Sequence, residues 1–218
     1  MGDWGRTNRE LETYTASPAN ASLDGQGNLA IVARRRASSG PGNAGLPYTS
    51  ARIETKGRFS FTYGRVEARI KIPAGTGLWP AFWMLGSNID TVGWPNCGEV
   101  DILEAVGQQP FAVVGSIHGP GSGGAYAVHR PVGSGVSLAA GFHTYGMIWR
   151  PGSITWTLDS RPYGTVTPGE LPAGARWVFD HPFNLVLDLA VGGVEPGPPA
   201  SATRFPATLL VKWIRVYR

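Results

Sequence analysis

Residues 97–107 read CGEVDILEAVG, and the position of one acid in this stretch decides how the chain is read. Glu99, Asp101 and Glu104 fall within six residues of a 218-residue chain that holds only 15 acidic residues. Side chains alternate faces along a strand, so Glu99 and Asp101 share a face while Glu104 falls with Val100 and Ile102. That second face is apolar and belongs to a core, where a lone carboxylate costs several kcal/mol or stays protonated. One extra residue removes the conflict. A β-bulge at Ile102–Leu103 sets two residues opposite one and returns Glu104 to the side of Glu99 and Asp101. The stretch predicts a bulged strand whose three carboxyl groups converge on one sheet face.

Outward from it, the chain reads as strands throughout. Gly (31) and Pro (18) make up about a fifth of the residues, against an average of roughly 12%. No segment sustains the three-and-four apolar spacing of a helix. Strand-like runs separated by Gly, Pro, Asn and Ser clusters occur at 28–34, 58–64, 65–73, 81–86 and 99–107, then at 112–119, 143–150, 153–160, 183–193 and 209–217. Ten such runs at intervals near a dozen residues predict an all-β fold, a jelly-roll β-sandwich of two antiparallel sheets in one domain spanning 1–218. Two long loops are expected, at 38–50 and 118–135, and loops of that length in a compact domain tend to be functional or mobile.

Composition excludes several classes. Lys and Arg number 19 and the sequence pI is near 9.5, but the basic residues are scattered apart from Arg34–Arg36, which suits a solvated strand end better than a nucleic-acid surface. Cys97 is the only cysteine, so no intramolecular disulfide forms, and neither it nor the four histidines adopt a metal-ligand spacing. There is no membrane-spanning run and no signal peptide in this chain, and Arg6 breaks the myristoylation pattern. No nucleic acid, membrane or metal partner is expected.

Convergent carboxylates have two common uses. A Ca²⁺ ion needs six to eight oxygen ligands, usually gathered from loops, and three acids on one strand are too collinear to wrap it. Glycoside hydrolysis needs two carboxyl groups, and a third between them would hold their pKa values apart. The aromatic pattern fits this use. In GLWPAFWML, Trp79, Ala81 and Trp83 share one face, and Trp94 stands just before the acids, so indole platforms for sugar rings are available as well as core packing. In RVEARIKIP, Arg65, Glu67, Arg69 and Lys71 share a face that suits either solvent or a wet groove.

With these residues in view the chain resembles glycoside hydrolase family 16, and within it the laminarinase-like bacterial members. GEVDILEAVG is similar to that family's bulged Glu-x-Asp-x-x-Glu signature, whereas lichenases carry a regular Glu-x-Asp-x-Glu. YGRVEARIKIP, GLWPAFWMLG, GSIHGPG, FHTYGMIWRPGSITWTLD, HPFNLVLDLAVGG and IRVYR agree, so the resemblance runs from about residue 8 to the end. It implies a concave substrate cleft and retaining endo-hydrolysis of β-1,3-glucan by a secreted, monomeric enzyme. Glu99 would be the nucleophile, Glu104 the general acid/base, and Asp101 would assist them. Trp79, Trp83 and Trp94 would line the cleft, Glu67 and Arg69 would hold sugar hydroxyls on the glycone side, His118 would lie toward the leaving group, and Asn8 would also contact substrate.

The chain departs from the family pattern in three places. The family's N-terminal strand segment, which carries an acidic Ca²⁺ ligand, is expected to be missing here. Lys212 stands where the family's C-terminal strand usually has Asp, so the structural Ca²⁺ site is expected to be absent. Asp188 replaces a usual Asn at the cleft floor. Two other readings stay open beside the laminarinase-like one: hydrolysis of mixed-linkage glucan, agarose or carrageenan, and non-catalytic binding of β-glucan. The presence of both glutamates argues for an enzyme.

Overall fold

The computed structural model describes residues 8–36 and 45–218. In chain order the first strands are β1 (Glu12–Tyr14), β2 (Ala21–Leu23), β3 (Leu29–Arg35), β4 (Tyr48–Ser50) and β5 (Arg52–Glu54). Next come β6 (Gly64–Lys71), β7 (Leu78–Gly86), β8 (Glu99–Glu104), β9 (Ala112–Gly121) and β10 (Gly124–Gly133). The last five are β11 (His143–Arg150), β12 (Ser153–Leu158), β13 (Arg161–Val166), β14 (Phe183–Val191) and β15 (Ala207–Tyr217). A single helical turn, α1 (Ile89–Val92), lies between β7 and β8.

These strands form two sheets. One has nine strands in the order β1-β4-β3-β15-β6-β11-β12-β13, with β2 also on β3; the other has six, β10-β9-β8-β7-β14-β5. Pairing is antiparallel apart from the three-residue β1–β4 ladder, which is parallel. The chain changes sheets at the buried Ala51, the one residue between β4 and β5. The core lies between the sheets. Val66, Ala68 and Ile70 of β6 and Met147 and Trp149 of β11 face Phe82 and Met84 of β7 and Leu187 and Leu189 of β14, all buried. Period-2 alternation on both sheets, apolar inward and polar outward, is what specifies this arrangement.

The bulge sits at the center of the six-stranded sheet. On the β7 side Trp83 pairs with Asp101 and Phe82 with Leu103, so Ile102 has no partner. On the β9 side Asp101 pairs with Ser116 and Glu104 with Val114, three residues against two. Ile102 and Leu103 are both fully buried. Two consecutive core-facing residues therefore bring Glu104 back to the face of Asp101. At the bulge the Asp101 carbonyl accepts a hydrogen bond from Trp156 of β12 across the core, Nε1–H to O at 2.6 Å. It reaches the bulge because position 115 is Gly: a Cβ there would lie 2.4 Å from the Trp156 ring. Without that indole N–H the buried carbonyl would lose its partner, a cost of roughly 1–3 kcal/mol.

Three expectations need correction. The stretch 58–64 is not a strand; only Phe61 bridges, to Phe183, before β6 begins at Gly64. Tyr63 (φ 60°) and Gly64 (φ 119°) adopt left-handed backbone that breaks pairing, and any Cβ on Gly64 would lie 2.2 Å from the Tyr217 carbonyl oxygen. The expected loop at 118–135 is instead a long hairpin, with β9 and β10 in register from Gly121↔Gly124 to Ala112↔Gly133 around a two-residue turn. Its Gly and Pro content suggested a loop, but a two-residue hairpin needs glycine at its turn and an edge strand tolerates Pro131. The expected loop at 38–50 lies largely outside the described residues, and its end, Tyr48–Ser50, is β4.

Candidate active site

The outer face of the six-stranded sheet carries a cleft of about 790 Å³. Every strand of that sheet contributes to it: His129 and Pro131 from β10, Val114 and His118 from β9, Glu99, Asp101 and Glu104 from β8, Trp79, Ala81 and Trp83 from β7, Asp188 and Ala190 from β14, and Arg52 from β5. The cleft thus runs across the strands. Asn8, Glu10 and Tyr14 close it near the N-terminus, and Trp94, Val194 and Glu195 come from loops.

The acids of β8 form the floor. Glu99 is placed by Leu85 on one side and His118 on the other; Glu104 is placed by Ala81 and Val114. Each glutamate accepts a hydrogen bond from a different indole. Trp94 Nε1 donates to Glu99 Oε2 at 3.0 Å, and Trp79 Nε1 donates to Glu104 Oε1 at 3.1 Å. His118 Nε2 lies 3.0 Å from Asp101 Oδ2 and 3.9 Å from Glu99 Oε1. The second ring of this group, His129, accepts or donates through Nδ1 to the buried Ser116 Oγ at 3.0 Å.

Crowding three acids into a half-dry floor shifts the titration of the two glutamates. Burial, followed by the charge of Asp101, raises Glu99 to a pKa of about 7. The same two causes in the same order raise Glu104 to about 8, with a further contribution from Glu195. Burial works against a charged His118, but the contact and charge of Asp101, with Glu99 and Glu104 behind it, outweigh burial and lift it to about 9. The two glutamates are therefore poised near neutral pH.

The tryptophans divide by exposure. Trp94 is 42% exposed and presents a ring face to solvent, whereas Trp79 is 9% exposed and offers chiefly its N–H. Trp83 is half-buried and fixed on two sides. Its Nε1 donates to Asp188 Oδ1 at 2.7 Å, and the Arg52 guanidinium stands 4.5 Å from its ring centroid. Tyr14 OH donates to Asp188 Oδ2 at 3.3 Å and lies 3.2 Å from Glu10 Oε2. Asn8 Nδ2 donates to Glu10 Oε1 at 3.2 Å. Burial, offset in part by Arg52 and Trp83, lifts Asp188 to about 6.

Two residues expected in the cleft are not there. Glu67 and Arg69 lie on β6 of the nine-stranded sheet, with core residues Val66, Ala68 and Ile70 on the opposite face. They point away from the sandwich on the far side from the cleft. Glu67 pairs with Arg65 at 3.6 Å, and Arg69 bonds Thr144 Oγ1 at 3.2 Å beside Asp159. Alternation fixed their common face but not which sheet carries it. Conversely, Arg52, Glu10, Tyr14, His129 and Glu195 line the cleft without having been singled out. Arg52 sits in a three-residue strand, and Glu195 in a loop after β14, where no local pattern marks a site.

Among the described residues, the group of side chains close enough to share a cation is Glu99, Asp101 and His118. The Lys212 ammonium of β15 lies 5.9 Å from the Phe142 ring centroid.

The family model described as glycosyl hydrolases family 16 matches residues 9–214. The glucan endo-1,3-beta-glucosidase A1 of Niallia circulans is 37% identical over 99% of this chain, which spans 33% of that protein's length. The beta-glucanase of Rhodothermus marinus is also 37% identical, over 100% of this chain and 77% of its own length. Among solved structures, the laminarinase catalytic domain of Thermotoga maritima superposes with a TM-score of 0.88 at 42% identity, covering 98% of this chain and 85% of that one.

Proposed function

Because the chain belongs to glycosyl hydrolases family 16, we propose that it is a retaining endo-hydrolase of β-1,3-glucan, acting outside the cell through Glu99 and Glu104. The observation that carries this reading is the bulge. It brings Glu104 onto the cleft floor with Glu99 and Asp101, each glutamate fixed by its own indole N–H.

In the first step an oxygen of ionised Glu99 bonds to the anomeric carbon as the glycosidic bond breaks. Protonated Glu104 gives its proton to the departing oxygen. In the second step Glu104, now a carboxylate, takes a proton from water; the hydroxide bonds to the anomeric carbon and Glu99 leaves. Both glutamates titrate far above the ordinary carboxylate range, raised by burial and then by the charge of Asp101, so one can hold a proton near neutral pH while the other has lost it, as this division requires. Asp101 contributes the charge that raises both glutamates and keeps His118 protonated beside the nucleophile. Trp94 and Trp83 offer sugar platforms on the two sides of the floor. No observation favours a binding-only role over this one.

The substrate is tested by incubating the protein separately with laminarin, mixed-linkage glucan, agarose and carrageenan and sizing the products by mass spectrometry. A ladder of short oligosaccharides from laminarin is expected within the first few per cent of conversion. Cleavage of agarose or carrageenan with laminarin left intact would overturn the assignment.

A further inference from the structure

The cleft and the rest of the molecule carry opposite charge. Among the described residues, six of the chain's 15 acids line the cleft (Glu10, Glu99, Asp101, Glu104, Asp188 and Glu195), five of them carboxylates while Glu104 holds its proton, against Arg52 and a protonated His118. The chain as a whole is nevertheless at +4. The cations in the cleft are committed locally. The Arg52 guanidinium stands over the Trp83 ring and its backbone pairs with that of Asp188, while His118 lies between Asp101 and Glu99. Glu195 is exposed in the loop after β14, and its charge reaches Glu104. Glu10 is half-buried near the N-terminal side, with Asn8 and Tyr14 as its partners. A substrate chain crossing the floor therefore meets carboxylates beyond the β8 acids, at positions the hydrolytic steps do not use.

Resting on the endo-glucanase reading, we infer that the cleft is a charge filter: it cuts uncharged β-1,3-glucan, rejects the same polymer bearing sulfate or uronate groups, and favours one bearing free amines. The physical reason is that a low-dielectric cleft lined by one sign of charge focuses its field on the ligand. Specificity here comes from repulsion of the wrong polymer as much as from contacts to the right one. Glu195 is the residue through which the filter is most readily altered, because it is exposed, lies in a loop and takes no part in the hydrogen bonds that fix the two catalytic glutamates.

The filter is tested with laminarin in four forms at matched substitution: unmodified, lightly O-sulfated, 6-amino-6-deoxy, and the amino form after N-acetylation. Cleavage is the readout, since the basic exterior will bind a polyanion without using the cleft. At 20 mM salt the amino form should have the highest kcat/KM and the sulfated form the lowest, at least about tenfold below unmodified laminarin, with the bulkier N-acetyl form no better than unmodified. At 500 mM salt, where the Debye length has fallen to about 4 Å, this spread should shrink to about twofold. Glu195→Lys should raise the relative rate on the sulfated form and lower it on the amino form. Equal cleavage of sulfated and unmodified laminarin at low salt would overturn the filter and leave the glucanase reading intact. So would a sulfate penalty that salt does not relieve, which would mark steric exclusion. Failure to cut unmodified laminarin at all would remove the glucanase reading and the filter with it.

Discussion

Glu99→Gln is expected to lower laminarin cleavage by at least about 10³-fold while leaving oligosaccharide affinity within a few-fold of the parent. The amide keeps the shape of the side chain and can still accept the Trp94 N–H bond, now 3.0 Å long, so the floor should stay in place. What it loses is the oxygen that bonds to the anomeric carbon. Initial rates on laminarin and titration calorimetry with a laminari-oligosaccharide separate the two effects. Cleavage above a few per cent of the parent rate would remove Glu99 from the role of nucleophile. The variant should also gain stability relative to the parent as pH rises. Folding raises the Glu99 pKa from about 4.5 to about 7, so the folded state keeps a proton the unfolded state has lost. The parent therefore loses stability between those values, and a side chain that cannot ionise does not. Melting temperatures of parent and variant should run parallel near pH 4 and diverge in favour of the variant by pH 8.

Glu104→Gln is expected to cost about 10²–10⁴-fold in kcat/KM on laminarin, the usual range for a lost general acid. On an aryl glucoside whose leaving group needs no proton, the glycosylation step should survive. The pH profile is the sharper readout. Activity in the parent requires Glu99 ionised and Glu104 protonated, so it should fall as pH drops through about 7 and again as pH rises through about 8. The two limbs belong to the coupled pair rather than to either residue alone. Both lie well above the ordinary carboxylate range. In Glu104→Gln the alkaline limb should disappear on the activated substrate and the acid limb should remain. Persistence of the alkaline limb would assign it to another group.

The bulged strand β8 was legible in the sequence because its conflict is local. Ile102 and Leu103 are adjacent apolar residues between acids, and one bulge resolves the face of all of them. The alternation of Trp79, Ala81 and Trp83 against Phe82 and Met84 was legible for the same reason. What failed was anything that depends on which sheet a strand joins. Arg65, Glu67, Arg69 and Lys71 do share a face, but β6 lies between β15 and β11 on the far sheet, a pairing made by residues some 75 to 150 positions away. The β9–β10 hairpin was hidden by its glycines, which a tight turn and, at Gly119, a close approach to Tyr126 require. Arg52 and Glu195 were out of reach altogether. Each enters the cleft through long-range packing of a short edge strand or a loop, with no periodicity around it.

A double displacement at Glu99 fixes the anomeric configuration of the first products, which reports that step directly. Proton NMR of laminarin hydrolysis, followed from the first minutes before mutarotation, is expected to show the β-anomer of the new reducing end appearing first and the α-anomer growing in later. Initial release of the α-anomer would mean a single displacement by water and would contradict the assignment of Glu99 as nucleophile.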